Sequence, residues 1–170
     1  MAEHARATSA PRRTSTAENS GLRCGGFTMN RITVVAALIE REGHLLVCQR
    51  KRTAIFPLLW EFPGGKVHDG ELPEQALVRE LAEELDITVC VGPELYRTRH
   101  RYPELPEEIE LRFFAAHIVS GAPRNLAFEQ IAWVRPQDLP AMEFLPADRE
   151  LIARLAEGRL RTDWKPSSAP

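Results

Sequence analysis

Between Gly64 and Ile87 the chain reads GGKVHDGELPEQALVRELAEELDI, and this stretch limits the possible folds more than any other. Leu77, Leu81 and Leu85 recur every fourth residue, which on an α-helix makes one apolar stripe that must be buried. Pro73 suits a first turn, so the spacing predicts a helix over 73–85. Glu80, Glu83 and Glu84 then stand at i, i+3 and i+4 and share a face. Like charges so placed each oppose an isolated helix by ~0.2–0.5 kcal/mol. A solvated, glutamate-rich face is one reading of them. The other is a site for a hard cation: clustered carboxylates suit Mg²⁺, with Mn²⁺ able to substitute. A Gly-Gly turn ahead of the helix, the loop His68-Asp69-Gly70, and Arg79 within the acids weigh toward the second, since arginine holds a carboxylate by a forked hydrogen bond.

Strand signals surround this helix. Ile32 to Glu40 is β-branched and apolar, Glu42 and Gly43 turn it, and Leu45 to Arg50 returns as a hairpin partner. Leu59 to Phe62 is a short strand stopped by Pro63, Gly64 and Gly65. Val89 to Arg101, Glu108 to Val119 and Ile131 to Val134 read as further strands, and Arg149 to Glu157 as a closing helix. The expected fold class is α/β, a mixed β-sheet between helical layers. At 170 residues, 44% hydrophobic and 27% charged, the chain suffices for one globular domain. Its formal charge of −2 excludes a nucleic-acid coat and a polybasic membrane anchor, and no apolar run reaches membrane-spanning length. Three cysteines, an odd number without metal-ligand spacing, fit a reduced cytoplasmic setting.

The ends differ in kind. Residues 1–28, rich in Ala, Ser, Thr and Arg without apolar periodicity, are expected to be a disordered tail. A transit peptide carrying Arg6, Arg12, Arg13 and Arg23, or a start wrongly placed upstream of Met29, fits the same residues. The domain is expected over 29–161, with 162–170 a short frayed tail around Trp164.

Gly65, Glu71, the run Arg79-Glu80-Leu81-Ala82-Glu83-Glu84, and Ile87 together resemble the signature of the Nudix hydrolases. Glu61-Phe62-Pro63 and Pro73-Glu74-Gln75-Ala76 are similar to its MutT branch. The resemblance implies a Nudix-type α/β/α sandwich that hydrolyses a nucleoside diphosphate linked to another group. It implies that Glu80, Glu83, Glu84 and the Gly64 carbonyl bind a divalent metal and that Arg79 orients the glutamates. One glutamate, Glu80 in the first instance, would be the base for the attacking water. Two positions depart from the pattern. Asp86 stands where the family has glycine, and aspartate tolerates the left-handed conformation better than most residues. A further metal-binding Glu usual before the tryptophan of the last strand has no clear counterpart: Ala127 or Phe128 falls there, and Glu129, the nearest acid, fits a surface loop equally well.

Substrate contacts follow from charge and hydrogen-bonding capacity. Arg50 and Lys66 flank the glycine turn and suit the phosphates. Arg97, Arg99 and Arg101 alternate along a strand, either facing phosphate or guarding a sheet edge. By its resemblance to the MutT segment after the last strand, Phe144 to Asp148 would read the base. Ionised Asp148 would accept from base N–H groups, including the one that oxidation adds to guanine; equally, it would cap the closing helix. Phe144, Trp60 and Tyr102 are the aromatic candidates for stacking or core. The expected function is Mg²⁺-dependent hydrolysis of 8-oxo-dGTP or a related nucleotide to monophosphate and pyrophosphate, cleansing the pool for DNA replication. A CTP or dCTP pyrophosphohydrolase is the alternative in the same chemistry, and a non-catalytic nucleotide-binding module the alternative from another class. The expected partner is a small nucleotide, with no nucleic acid or membrane, and the chain a monomer or homodimer.

Overall fold

A β-branched apolar run such as Ile32 to Ile39 sends alternate side chains to opposite faces of a strand, so both faces need cover. The computed structural model, which describes residues 30–167, supplies it. The expected 1–28 tail lies outside the described residues. Strand β1 (Arg31–Arg41) sends Val35, Ala37 and Ile39 into one core and Ala36 and Leu38 into another. The first core is closed by helix α1 (Pro73–Leu85) through Ala76, Leu77, Leu81 and Leu85, all fully buried. The second is closed by helix α2 (Arg149–Ala156) through Leu151, Ile152 and Leu155.

Between the helices lies a mixed sheet. Its strands run β3 (Trp60–Glu61), β2 (His44–Gln49), β1, β6 (Glu108–Ser120), β5 (Thr88–Arg101); β4 (Gly64–Lys66) also pairs with β1 and β7 (Gln130–Val134) with β2. β1 and β6 pair in parallel, and the other pairs are antiparallel. This is the α/β/α arrangement that the sequence implies. Asp86 ends α1 in the left-handed region, at φ 57° and ψ 39°, as the substitution for glycine requires. The loop after β6 finishes the cap: Arg124 N–H donates to the Leu85 carbonyl at 2.8 Å and Leu126 N–H to that of Glu84 at 3.0 Å.

Two segments differ from expectation. Gly64 to Lys66, expected only to stop a strand, is itself a strand. A Cβ on Gly64 would lie 2.1 Å from the Val35 carbonyl oxygen, so only the missing side chain lets β4 settle onto β1. The start of the expected C-terminal tail is packed. Thr162 is buried and donates to Glu40 at 2.5 Å, and the Trp164 ring rests where Gly92 leaves room. Gly64→Ala should therefore lower stability by ~1–3 kcal/mol, the usual penalty for overpacking, read as a lower midpoint in thermal or urea melts.

Candidate active site

The acidic face of α1 lies directly on β4. A Cβ on Gly65 would come within 2.3 Å of the Glu80 carboxyl carbon, so the second glycine admits that carboxylate to the sheet surface. Arg79 organises what surrounds it. Its Nε and Nη2 donate to the two oxygens of Glu71 at 2.9 and 3.0 Å, Nη2 also reaches the Lys66 carbonyl at 3.0 Å, and Nη1 donates to Glu80 at 2.9 Å. Glu83 lies 3.6 Å from the same guanidinium. The fork from Arg79, then the His68 N–H, holds the Glu71 carboxyl down to about 2.

Glu84 is the electrostatic exception. Burial first, then the charges of Glu80 and Glu61, pushes its carboxyl up to about 8, against the Gly64 N–H that favours the charged form. Its Oε2 is buried without a hydrogen-bond partner. As they stand, no three His, Cys, Asp or Glu side chains among the described residues are grouped closely enough to seat a metal, and Arg79 pairs with Glu80 and Glu83. The donor set nonetheless suits a divalent cation. A buried, unpaired carboxylate oxygen among like charges is what a hard cation relieves, and oxygen donors suit Mg²⁺.

Beside this cluster opens a cavity of about 170 Å³. Gly64 and Lys66 line it at β4, and Arg50, Glu61 and Asp148 supply its other charged walls. Arg50 Nη1 donates to Glu61 at 2.6 Å. Burial raises the Glu61 carboxyl, with Arg50 opposing. Asp148 is 2% exposed and its Oδ1 has no partner. Burial, then the Glu61 charge, pushes it up to about 8 despite Arg50. Two expectations for this residue change. It stands at the N-cap of α2 without a side-chain capping bond, and near neutrality it is largely protonated, a donor as well as an acceptor.

Of the expected substrate contacts, Arg50, Lys66 and Asp148 meet in one cavity and Phe144 does not. Residues 143–145 run beside β3, with Trp60 N–H donating to the Glu143 carbonyl and Leu145 N–H to that of Trp60. Leu145 faces the cavity, so its neighbour Phe144 turns away into the core near Phe62, at 5.6 Å between centroids. Tyr102 lines the cavity, whereas Trp60 does not. Glu129 accepts from Arg52 at 3.1 Å, while Ala127 and Phe128 border the small cleft containing Glu84. Arg97 pairs with Glu94 and Arg99 with Glu110 along β5 at the sheet margin, which fits a guarded edge. The contributions of Glu61 and of Phe56 to the cavity were not legible as site features; Glu61 was visible only as part of a family-like tripeptide. Among the described residues no helix is long and apolar enough to cross a membrane.

With a glycine turn carrying an acid-faced helix onto the sheet, the chain belongs to one enzyme family: residues 29–155 match the NUDIX domain. It is a Nudix hydrolase of MutT-like type. It is 40% identical over 126 residues to an 8-oxo-dGTP diphosphatase of Haemophilus influenzae, a match covering 73% of this chain and 90% of that protein. It is 37% identical over 124 residues to a CTP pyrophosphohydrolase of Escherichia coli, with 73% and 90% covered. Among solved structures, the MutT NUDIX hydrolase of Burkholderia pseudomallei superposes with a TM-score of 0.66 at 30% identity, covering 73% of this chain and 97% of that one.

The Glu71–Arg79 pair gives a pH signature. A carboxyl held at about 2 in the fold and near the ordinary 4.5 when unfolded contributes stability above pH 4.5 that fades toward pH 2. Glu71→Gln should thus melt below the parent at pH 7, and the two melting curves should converge as the pH falls through that window.

Proposed function

We propose that this Nudix hydrolase cleaves a nucleoside triphosphate to the monophosphate and pyrophosphate, with 8-oxo-dGTP preferred over dGTP. The observation that carries the reading is the cavity beside the acid cluster, which runs from Gly64 and Lys66 of β4 to a buried, unpaired Asp148. Glu80, Glu83, Glu84 and the Gly64 carbonyl would hold Mg²⁺, with Mn²⁺ a possible substitute. When bound, the ion neutralises phosphate oxygens and lowers the pKa of water. Arg79 fixes Glu80, which takes the proton of the attacking water as a P–O bond forms and the bridging bond to pyrophosphate breaks. Lys66 and Arg50 meet the phosphate charge.

The preference follows from Asp148. A protonated carboxyl presents one donor beside one acceptor. With the N7–O6 edge of the base against Asp148, the N7–H and O6 of 8-oxoguanine complement it, whereas ordinary guanine offers two acceptors there and leaves the carbonyl oxygen facing a lone pair. The N1–H and O6 edge, which the two bases share, would not discriminate. A second reading rests on the same group: the cytosine amine beside N3 is also a donor next to an acceptor, which favours CTP or dCTP. A Mg²⁺ assay across normal and oxidised triphosphates separates the two. Preference for 8-oxo-dGTP is expected; fastest cleavage of a cytidine nucleotide would move the assignment to the second reading, and no turnover of any triphosphate would end both.

Ionisation of Asp148 removes the donor that meets O6, a group guanine and 8-oxoguanine share, while the acceptor for N7–H stays. KM for both triphosphates should therefore rise as pH rises through about 8, with the preference retained. Asp148→Asn keeps a donor and an acceptor at every pH and should show a KM that stays flat from about pH 6 to 9. The folded pKa lies above the unfolded 3.8, so the parent loses stability as pH rises toward 8. The melting temperature of Asp148→Asn relative to the parent should therefore climb over the same range. Glu84→Gln replaces a buried carboxyl that its acidic surroundings make costly to ionise. It should melt at or above the parent without metal, lose the upward shift that Mg²⁺ gives the parent, and turn over at least ~100-fold more slowly.

A further inference from the structure

One wall of the cavity is a loop, residues 50–59, with an uncommon backbone. Phe56 has φ 58° and Leu58 φ 61°, left-handed values that bulky side chains seldom adopt. Each such residue costs ~1–3 kcal/mol and persists only where its surroundings dictate it. Here they do. Arg50 N–H donates to the Leu59 carbonyl at 3.0 Å, Leu58 N–H to that of Arg50 at 3.2 Å, and the Gln49 amide to that of Leu58 at 2.9 Å. Arg50 Nε adds a bond to the Ile55 carbonyl at 2.9 Å.

This clamping decides which side chain faces in. Ile55 is 56% exposed, while Phe56 lines the cavity with Asp148, Glu61 and Arg50. The Phe56 ring lies 4.6 Å from that of Tyr102 at an interplanar angle of 36°, and Tyr102 meets His100 edge-on at 4.4 Å. Tyr102 is itself held: it is 6% exposed, and the Ala147 N–H donates to its hydroxyl oxygen. An aromatic face backed by a fixed second ring, beside a polar group with an open hydrogen-bonding position, is what a planar heterocycle needs. Arg50 ties the parts together, since one guanidinium holds both the loop carrying Phe56 and Glu61.

We propose that Phe56 is a specificity-determining residue, giving the nucleobase a stacking face while Asp148 meets its edge. The proposal rests on the cavity being the nucleobase site. Loss of a stacking aromatic weakens binding by ~1–3 kcal/mol, or roughly 5- to 150-fold. Phe56→Ala should raise KM for the best triphosphate within that range while kcat changes less than about threefold. Phe56→Tyr should restore KM. Phe56→Leu, which keeps the apolar packing, should not.

Calorimetric binding of 8-oxo-dGMP and CMP in Mg²⁺-free buffer, with inorganic tripolyphosphate as a probe lacking a base, separates this proposal from the hydrolytic one. Weakened monophosphate binding with unchanged tripolyphosphate binding supports stacking, even if the parent turns over no triphosphate. Unchanged monophosphate binding in Phe56→Ala, with turnover intact in the parent, overturns the stacking role alone. Equal losses for both probes, or full rescue by Phe56→Leu, overturn it in favour of packing. A parent that binds neither monophosphate overturns the base site and the stacking role together.

Discussion

The site depends on bringing a row of mutually repelling carboxylates down onto a β-strand with no side chain between. Two adjacent glycines make this possible: Gly64 lets β4 close on β1, and Gly65 lets Glu80 lie over β4. The leucine stripe of α1 supplies the force that holds the helix there, since Leu77, Leu81 and Leu85 are fully buried beneath it. Arg79 then offsets part of the repulsion by taking Glu71 and Glu80 in one guanidinium. Glu84 keeps the remainder, with one buried oxygen unpaired. Hydrophobic burial and electrostatic stress thus act on the same helix, from adjoining faces.

Much of this was legible in order along the chain. The four-residue leucine spacing located α1 and its buried face, and the spacing from Gly65 through Glu71 to Glu84 located the acid cluster. Val89 to Arg101 and Glu108 to Val119 read as strands, and the mixed sheet between helices followed from the order of elements. Gly64 to Lys66 escaped because two glycines carry no strand propensity, and the pairing is enforced by contact with Val35 rather than by local preference. Phe144 falls outside the cavity while Leu145 beside it lines it, a difference that composition does not reveal because both are apolar.

Asp148 shows a different limit. Its position ahead of Arg149 and Glu150 reads as a helix cap, and an aspartate in isolation reads as ionised. Both inferences are local, whereas its state is set by distant residues. Burial beneath the β5 terminus and β3, with Glu61 near, changes its charge and with it its hydrogen-bonding capacity. Phe56 escaped for a related reason. A bulky residue in the left-handed region is disfavoured by local sterics, and only the bonds from Arg50 and Gln49 make that conformation visible.

The parallel pairing of β1 with β6 has a bearing on how the molecule comes together. Arg31 lies beside Glu108 and Ile39 beside Ala116, so the central strand waits for a neighbour made after most of the domain. Closing so long a span is entropically expensive and slow, and it comes before the cores on either side are complete. A nascent chain that has emerged only through α1 has β1 and β4 beneath its acidic helix but neither β6 nor β5, so the part of the leucine stripe's cover that Val89, Phe114 and Ala116 supply is still to come. During synthesis that stripe is the surface most in need of shielding from other chains.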